Sequence, residues 1–526
     1  MTPANFNASA CRMSLFDALR DAARQHGAGK VILEDVERQP LTYGRLVLAS
    51  LVLGRRLRRE TLPGQATGLL LPNVNALVVA LFGLNAFGRT VGLLNFTAGA
   101  RNIQSAIKTG PLPVVVTSRR FVETAKLDDL VDAISETEWM PGRMGRVLYL
   151  EDIRKGISGT DKLIGFAGSL APPLASAPQM PDDIAVMLFT SGTEGSPKGV
   201  ALTNANLVAN ARQIFQHATG ALSAADTAMN PLPMFHSFGL TAGTLMPLLN
   251  GMRTVLYPSP LHYKQIPKLM KETKSTLLFS TDTFLQGYAR AADAGDTDTL
   301  RYVVAGAERV KDATREIWGR SGTEILEGYG ATECSPVISC NLPDQKRHGS
   351  VGRVLPGVET RLLPVDGISE GGRLQVQGPN VMAGYILSNA PGTLVPPADG
   401  WHDTGDIVTI EDGYIFIRGR AKRFAKIGGE MVSLAAVEAM ASGLWPDNTH
   451  VCVSLPDARR GESLVLVTDK PDADKAALSA YAREQGIAEL WVPKALLVTQ
   501  QIPVLGSGKV DYAATLEKAR EARPLL

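Results

Sequence analysis

The fold of this chain is decided by the stretch Phe189-Thr190-Ser191-Gly192-Thr193-Glu194-Gly195-Ser196-Pro197-Lys198-Gly199-Val200. An apolar run at residues 184–188 precedes it and predicts a buried β-strand. Glycines allow positive φ and close backbone approach, so successive N–H groups can converge on an anion. The stretch therefore predicts a phosphate-binding loop, with a flexible surface loop as the alternative. The candidate binding residues are Thr190, Ser191, Gly192, Thr193, Glu194, Gly195 and Lys198.

Length and composition describe a globular chain with two or more domains. The chain has 526 residues, 45% of them hydrophobic and 20% charged, and a net charge of +2, which gives no electrostatic case for nucleic-acid binding. Its four cysteines lack C-x-x-C spacing, which favours a reduced, cytoplasmic protein. Charged residues interrupt the first apolar segment, so a signal peptide is not expected. Residues 76–87 predict a buried helix, because crossing a bilayer takes roughly 20 residues.

Alternating apolar runs and helical patterns predict an α/β fold. Strand–helix pairs are expected at residues 66–71 and 74–87, 114–117 and 122–134, and 277–280 and 284–292, which is typical of mostly parallel sheets. Residues 407–410 and 414–417 flank a turn and predict a β-hairpin, part of a β-rich subdomain. A basic segment follows at residues 418–423. We place the boundary there, between a large N-terminal domain of residues 1–420 and a small α+β domain of residues 421–526.

Three further segments carry residues suited to a nucleotide. In the segment at residues 327–334, Glu333 offers an oxygen ligand for Mg²⁺, Thr332 a hydroxyl donor and Tyr329 a flat aromatic face. Asp406 follows a glycine on a tight turn and suits two vicinal hydroxyl groups. Lys509 lies on a glycine-flanked loop. The alternatives are a satisfied turn glutamate, a turn-capping aspartate and a solvated surface lysine.

Neither lysine-bearing loop matches a Walker loop, which requires Gly-x-x-x-x-Gly-Lys-Ser/Thr. Gly199 and Val510 stand where the metal-binding hydroxyl would be. Taken together, however, the four segments resemble in order and spacing the motifs of the adenylate-forming superfamily. That superfamily comprises acyl- and aryl-CoA synthetases, luciferases and the adenylation domains of peptide synthetases. The resemblance covers nearly the whole chain.

The resemblance implies a two-step reaction. A carboxylate attacks the α-phosphorus of Mg·ATP, giving an acyl-adenylate and pyrophosphate, and a thiol then attacks the acyl carbon and expels AMP. Such chemistry depends on positioning and charge neutralisation rather than on an acid–base pair. The implied cofactors are therefore ATP and Mg²⁺, with CoA or the phosphopantetheine of acyl carrier protein as the co-substrate.

The resemblance also implies a role for each matching residue. The loop from Thr190 to Lys198 would hold the β- and γ-phosphates, Thr332 the α-phosphate and Glu333 the Mg²⁺. Lys509 would bridge the α-phosphate and the reacting carboxylate. His236 would gate the acyl pocket, with a hydrogen-bonded turn histidine as the alternative. The adenosine would contact Gly306, Ala307, Glu308, Gly328, Tyr329, Gly330, Asp406 and Arg420, the last two at the ribose.

In this superfamily the C-terminal domain is mobile and rotates between the two half-reactions. Lys422 matches the hinge position, on an exposed and charged junction. Lys426, Gly428 and Gly429 match the loop that reaches the pantetheine tunnel in the second conformation.

A narrower resemblance concerns residues 230–240, 257–263 and 423–434. They are similar to the ligase half of the bacterial enzyme that joins 2-acylglycerophosphoethanolamine acyltransferase to acyl-acyl carrier protein synthetase. This implies a fatty acid substrate and acyl carrier protein as acceptor. A fatty acyl-CoA synthetase is the alternative within the enzyme class, and a catalytically silent protein that binds ATP or acyl groups is the alternative outside it.

Two expectations about partners follow. The acyltransferase motif His-x-x-x-x-Asp is missing from the sequence, so a separate acyltransferase would use the product if transfer occurs. A fatty substrate also implies peripheral contact with the inner face of the membrane. Apolar residues 240–249 and 276–284 would line an acyl site or belong to the ordinary core.

Overall fold

The computed structural model describes residues 6–170, 176–177, 180–191, 197–368, 370–427, 430–457, 460–504 and 510–522, apart from the side chains of Ser191 and Lys422. The strands in these ranges are β1 (Val31–Glu34), β2 (Leu41–Thr42), β3 (Ala66–Leu69), β4 (Thr90–Leu93), β5 (Val114–Thr117), β6 (Glu138–Met140), β7 (Arg143–Met144), β8 (Arg146–Tyr149), β9 (Ile184–Ser191), β10 (Pro197–Thr203), β11 (Thr227–Asn230), β12 (Arg253–Leu256), β13 (Leu277–Ser280), β14 (Tyr302–Ala305), β15 (Glu324–Gly330), β16 (Val337–Cys340), β17 (Arg353–Val354), β18 (Glu359–Leu363), β19 (Gly372–Gln377), β20 (Gly384–Leu387), β21 (Ala390–Val395), β22 (His402–Glu411), β23 (Tyr414–Arg420), β24 (Phe424–Ile427), β25 (Glu430–Ser433), β26 (His450–Asp457), β27 (Gly461–Thr468) and β28 (Ala495–Val498).

The α-helices of the same ranges are α1 (Leu15–His26), α2 (Tyr43–Leu57), α3 (Asn75–Asn85), α4 (Ala100–Thr109), α5 (Arg119–Ala125), α6 (Asp128–Ser135), α7 (Leu150–Lys155), α8 (Gly159–Leu170), α9 (Asn204–His217), α10 (Met246–Leu249), α11 (Gln265–Thr273), α12 (Asp282–Ala291), α13 (Asp312–Gly319), α14 (Leu434–Leu444), α15 (Lys475–Glu484) and α16 (Tyr512–Ala522). A π-helix spans Phe238–Leu245. Within the described ranges, the helices are all too short or too polar to cross a bilayer.

The chain divides into two compact units. The first consists of Met1–Glu359 and Val376–His402, and the second of Thr360–Gln375 and Asp403–Leu526. The sequence assigned residues 403–420 to the N-terminal domain, whereas in the structure they cluster with the second unit. One reason is a contact between β23 and the start of α14, where Ser433 Oγ donates to the Arg418 carbonyl at 3.0 Å.

The first unit contains two large sheets. One has the strand order β17-β16-β15-β14-β13-β11-β12-β1-β2, and the other β21-β20-β10-β9-β4-β3-β5-β8. In the first sheet the strands from β15 to β1 run parallel, and antiparallel strands complete both ends. In the second, β9, β4, β3, β5 and β8 run parallel. The predicted α/β class with mostly parallel sheets is confirmed.

Helix α3 lies at the centre of this unit, as its apolar sequence predicts. Most of its side chains are buried, and it packs against α2 at the pair Gly54 and Gly83. A Cβ atom on Gly54 would lie 2.1 Å from the Gly83 carbonyl oxygen, so glycine is required for this close approach of two helix backbones. The close contact lets a helix apolar on nearly all sides pack into the core.

The second unit is built from antiparallel strands and helices. One sheet has the order β18-β19-β22-β23, and the other the order β25-β24-β27-β26, with β28 added in parallel to β27. The predicted hairpin is confirmed as β22 and β23. Its turn residues Asp412 and Gly413 have φ of 52° and 83°, which a type I′ turn requires.

Two predicted elements differ from the structure. The single helix expected at residues 122–134 is two helices, α5 and α6, because Lys126 adopts a left-handed conformation that ends α5. The segment at residues 327–334, considered above as a turn, begins on β15, so Gly328, Tyr329 and Gly330 lie on a strand. Pairing with β16 explains the strand, since Tyr329 lies opposite Ser339.

Candidate active site

The parallel strands of the first sheet bring three predicted segments to one edge. Residues 231–236 follow the carboxyl end of β11, residues 306–308 follow β14, and Thr332 and Glu333 follow β15. The register aligns these ends, because Ser280 pairs with Ala305 across β13 and β14. Ligands of open α/β sheets bind outside the carboxyl ends of the strands. The sheet thus gathers His236, residues 306–308 and the Thr332–Glu333 segment on the edge where a ligand is expected.

The stretch predicted to bind phosphate contributes two paired strands. β9 and β10 are antiparallel, with Ser191 opposite Pro197 and Thr190 opposite Lys198. Lys198 therefore lies on a strand, where the sequence predicted a loop; Pro197 is tolerated because it is the first residue of its strand. The predicted residues Gly192, Thr193, Glu194 and Gly195 lie outside the described residues.

A tyrosine that the sequence did not indicate joins the two sheets at this edge. Tyr385 on β20 donates its hydroxyl to Glu333 Oε1 at 2.7 Å. The Lys198 ammonium lies 5.2 Å from the centroid of the same ring, within the range of a cation–π contact. Tyr385 thus connects the predicted phosphate ligand with the predicted metal ligand. Finding it requires the pairing of β20 with β10, which places Tyr385 opposite Val200.

Backbone contacts fix the Thr332–Glu333 segment, which forms a 3₁₀ turn at Thr332–Cys334. The Met382 N–H donates to the Glu333 carbonyl at 2.7 Å, and Ser237 Oγ donates to Thr332 Oγ1 at 3.4 Å. A Cβ atom on Gly330 would lie 2.2 Å from the Pro336 carbonyl oxygen. Glycine at position 330 is therefore needed for the chain to turn back on itself beside Glu333.

The residues predicted at the adenine follow β14 and lie on β15. Gly306 donates its N–H to the Ser280 carbonyl at 3.2 Å, and Ala307 has a positive φ of 68°. Glu308 Oε2 accepts from the N–H and the hydroxyl of Thr283 at 3.1 and 2.8 Å, so this carboxylate holds the start of α12. Tyr329 is nearly buried on β15, between Gly328 and Gly330. Adenine contact would accordingly come from the backbone of residues 306–307 and from Tyr329, and it stays a prediction.

His236 is an exposed residue of a mostly buried turn that precedes the π-helix. Its backbone N–H donates to the Pro233 carbonyl at 3.1 Å, and its imidazole ring packs against the Phe235 ring with 4.8 Å between centroids. Both the gating role and the turn-histidine alternative remain open. The apolar segment that follows belongs to the core, because Leu240, Leu245 and Leu248 are fully buried there.

The two residues predicted at the ribose are cross-strand neighbours in the second unit. Asp406 on β22 lies opposite Arg420 on β23, and Arg420 Nε lies 3.1 Å from Asp406 Oδ1. Asp406 is buried, whereas the Arg420 side chain is 69% exposed. Asp403 caps its own turn by accepting the Gly405 N–H at 2.9 Å. The carboxylate of Asp406 is thus oriented by an arginine that itself faces solvent.

The remaining predicted residues lie in the second unit. Lys422 belongs to a 3₁₀ turn at Ala421–Arg423, and Lys426 is an exposed residue of β24. Gly428, Gly429 and Lys509 lie outside the described residues. The hinge, tunnel and catalytic roles of these residues stay predictions.

Glu333 fits a magnesium ion that also binds substrate phosphates. In the described part of the chain, no group of three or more His, Cys, Asp or Glu side chains is placed to hold a metal. Mg²⁺ is commonly held by one or two carboxylates together with phosphate oxygens. Among the described residues, the hydrogen bond from the Tyr385 hydroxyl uses only one of the two carboxylate oxygens of Glu333, Oε1. A single well-oriented carboxylate is what such a site needs.

The cysteines are free thiols and not ligands. Burial raises the pKa of Cys334 and of Cys452 well above its ordinary value, and it raises that of Cys340 to about 12. Burial also raises the pKa of Cys11. Cys334 follows Glu333 directly but is completely buried. These thiols stay protonated at neutral pH.

The fold and this site define a nucleotide-dependent ligase of the adenylate-forming class. The chain belongs to the family described as AMP-binding enzyme, whose profile matches residues 19–386. It is therefore an acid–thiol ligase that works through an AMP-bound intermediate, as the motif order predicted.

Curated relatives align along most of the chain. A long-chain-fatty-acid–CoA ligase of Haemophilus influenzae is 25% identical over a 551-residue alignment that covers 97% of this chain and 96% of the relative. A feruloyl-CoA synthase of an Amycolatopsis species is 28% identical, with 89% and 92% coverage. Among solved structures, ATP-bound MatB from Rhodopseudomonas palustris has a TM-score of 0.80 at 22% identity, covering 97% of this chain and 99% of that one. That structural similarity confirms the fold.

Removing the Tyr385 hydroxyl should weaken adenylation. In Tyr385→Phe the ring stays beside Lys198, but Glu333 loses a hydrogen bond, and bonds to charged groups contribute about 1.5–3 kcal/mol. We expect a fall of about tenfold in ATP–pyrophosphate exchange and a higher Mg²⁺ requirement. Tyr149→Phe, at the far end of the second sheet, is the control. An unchanged Mg²⁺ dependence in Tyr385→Phe would rule out this orienting role.

Proposed function

We propose that this protein activates a fatty acid as its acyl-adenylate and transfers the acyl group to the thiol of CoA. The observation that carries the proposal is the grouping of Lys198, Tyr385 and Glu333 at the carboxyl edge of the sheet, in a chain of the AMP-binding enzyme family. The fatty acid is supported by the long-chain-fatty-acid–CoA ligases among the curated relatives.

The proposed acceptor, CoA, differs from the acceptor that the sequence favoured. That acceptor was acyl carrier protein, through the resemblance at residues 230–240, 257–263 and 423–434. The relatives of named activity are CoA ligases or CoA synthases, which favours CoA. Acyl carrier protein is the second candidate, because Arg418 and Arg420 are about half exposed or more and would attract an acidic protein. They would attract the phosphates of CoA equally.

In the first step a carboxylate oxygen of the fatty acid attacks the α-phosphorus of ATP, and the bond to the bridging oxygen of pyrophosphate breaks. Lys198 and the hydroxyl of Thr190, neighbours across the hairpin, would hold the outer phosphates. Thr332 would donate to the α-phosphate. Bound Mg²⁺ would neutralise phosphate charge, and Glu333, oriented by Tyr385, would hold it. Each of these groups acts by position and charge.

In the second step the thiol sulfur attacks the acyl carbon, and the bond to the AMP oxygen breaks. The Asp406 carboxylate would accept hydrogen bonds from the ribose hydroxyls, and its pairing with Arg420 orients it. Lys509 would serve the first step, and Lys426 with residues 428–429 would serve the second. Rotation at Lys422 between the steps is part of the proposal.

An exchange assay tests the proposal. Purified protein is incubated with ATP, Mg²⁺, labelled pyrophosphate and a panel of free fatty acids from short to long chain. Ferulic acid and anthranilic acid are the non-fatty comparators. We expect label in ATP to depend on a fatty acid. Exchange with aromatic acids alone would replace the fatty substrate, and no exchange with any acid would support the catalytically silent alternative. Adding CoA or acyl carrier protein then identifies the acceptor by thioester formation.

Peripheral membrane contact is a further part of the proposal, supported by helix α8. This helix packs on α2 through buried Asp161 and the small residues Gly165 and Gly168, while Arg55 and Arg59 pair with Asp161. Its large apolar residues point the other way: Leu163, Phe166 and Leu170 are 68%, 55% and 73% exposed. Asp161, the acidic residue of α8, is buried, and Lys162 on the same helix is exposed. Such a surface suits anionic lipid.

Replacing Leu163, Phe166 and Leu170 together with serine should release the protein from anionic vesicles. We expect partitioning onto phosphatidylglycerol vesicles to fall by at least about tenfold, because inserted apolar side chains supply the binding energy. Pyrophosphate exchange with a soluble medium-chain acid should be unchanged. Equal binding of both proteins would contradict the lipid contact. A dimer in sedimentation analysis that the triple variant loses would instead identify the face as a contact between copies.

The separate acyltransferase partner stays a prediction.

A further inference from the structure

Arg423, the residue after the predicted hinge, is the centre of a nearly buried ion pair in the second unit. Its guanidinium donates to both oxygens of Glu438 on α14, at 3.2 and 2.7 Å, and to the Cys452 carbonyl on β26 at 3.0 Å. The two side chains are only 17% and 16% exposed. The Cys452 N–H donates back to Glu438 Oε1 at 2.8 Å. Arg423 thus connects the residues that follow the predicted hinge to helix α14 and to the edge strand β26.

The flat face of the same guanidinium is covered by Tyr512. The central carbon atom of the Arg423 guanidinium, Cζ, lies 3.8 Å from the centroid of the Tyr512 ring, which is close for a cation–π stack. Hydrogen bonding uses the edge of a guanidinium and leaves its face for an aromatic ring, and lysine offers no such face. The contact joins Arg423 to the first residue of α16.

Tyr512 stands at the base of the segment that carries Lys509. Val504 and Val510 pair as an antiparallel bridge on either side of residues 505–509, and the Asp511 N–H donates to the Pro503 carbonyl at 2.9 Å. Asp511 Oδ1 accepts the Ala514 N–H at 3.0 Å and caps α16. The two ends of the segment are therefore held together, and Tyr512 is the point at which Arg423 holds them.

We propose that Arg423 and Tyr512 are positioning residues that couple the predicted hinge at Lys422 to the segment bearing Lys509. The stack and the Val504–Val510 bridge both lie C-terminal to residue 422, so a rotation there would carry Tyr512 and this base together with Arg423. The inference rests on the proposed function, in which Lys509 serves the adenylation step. It predicts that the stack matters to adenylation and not to thioester formation.

The matched pair Tyr512→Leu and Tyr512→Phe tests this coupling. Leucine removes the stack and spares the Arg423–Glu438 pair, whereas phenylalanine keeps the ring. A small misplacement of a reacting group can lower a rate by about a hundredfold. We expect Tyr512→Leu to lose about tenfold or more in pyrophosphate exchange, but to stay within about twofold in thioester formation from supplied acyl-adenylate. Tyr512→Phe should match the wild type. Arg423→Lys, which keeps the charge but not the planar face, should behave like Tyr512→Leu.

Other results would overturn the inference. Equal losses in both half-reactions, together with a lower melting temperature, would indicate a merely structural contact. Full exchange activity in Tyr512→Leu would show that the stack does not couple the hinge to the segment that bears Lys509. If wild-type protein shows no exchange, the proposed function fails by itself. Hydrogen exchange then tests the contact independently of activity: the amides of Val504, Val510 and Asp511 should lose protection in Tyr512→Leu but not in Tyr512→Phe, and unchanged protection would reject it.

Discussion

Replacing Lys509 with alanine should abolish acyl-adenylate formation and leave thioester formation from supplied acyl-adenylate intact. In the first step the negative charge of the carboxylate approaches that of the α-phosphate, and a bridging ammonium offsets their repulsion. Removing one such donor commonly lowers a rate by about 10²–10³. The second step separates AMP from the acyl group, and the proposed rotation places the lysine elsewhere. We therefore expect a loss of at least about a hundredfold in pyrophosphate exchange alone.

The two half-reactions should be measured on the same preparations of Lys509→Ala. Lys475→Ala, an exposed lysine on α15 of the same unit, is the matched control and should retain both activities. If Lys509→Ala loses both half-reactions equally, the assignment of this lysine to the first step is wrong. If it loses neither, Lys509 is the solvated surface lysine considered as the alternative.

Glu333→Gln should have the second large effect. The amide keeps the shape and can still accept from the Tyr385 hydroxyl, but it removes the negative charge proposed to hold Mg²⁺. We expect pyrophosphate exchange to fall by about a hundredfold at low Mg²⁺ and to recover in part at high Mg²⁺. The measurement is a Mg²⁺ titration at saturating ATP and acid.

A glutamate at the opposite end of the same strand provides the control. Glu324 begins β15 and pairs with Lys346 at 2.6 Å, far along the strand from its carboxyl end. Glu324→Gln should follow the wild-type titration. A Glu333→Gln variant with reduced exchange but an unaltered Mg²⁺ dependence would show that this carboxylate acts on something other than the metal.

The sequence predicted elements wherever local pattern was strong. The strands at Val114–Thr117 and Leu277–Ser280 coincide with the predicted bounds, since continuous β-branched or apolar residues end at polar ones. The hairpin of β22 and β23 followed from its turn residues. The break between α5 and α6 was missed, because Lys126 gives no local signal for the left-handed conformation that it adopts. Tertiary packing decides such a position.

Motif spacing predicted candidate residues for the chemistry, but not how they meet. Asp406 and Arg420 become partners through the register of the hairpin, which includes an irregularity between Ile407 and Val408. Tyr385 belongs to no motif that the sequence reading used, and its link to Glu333 depends on β20 pairing with β10. The same holds for Arg423 and Tyr512, which are nearly ninety positions apart. Long-range pairings of this kind are invisible in one sequence.

An acyl-adenylate is a mixed anhydride that acylates any thiolate within reach, and thiolates, not thiols, are the attacking species. Cys334 is bonded to the residue proposed to hold the metal, yet it is sealed from solvent and remains protonated. The enzyme therefore should not consume its own intermediate by self-acylation. Among the described residues beside Glu333, no thiolate competes with the sulfur that a co-substrate brings in.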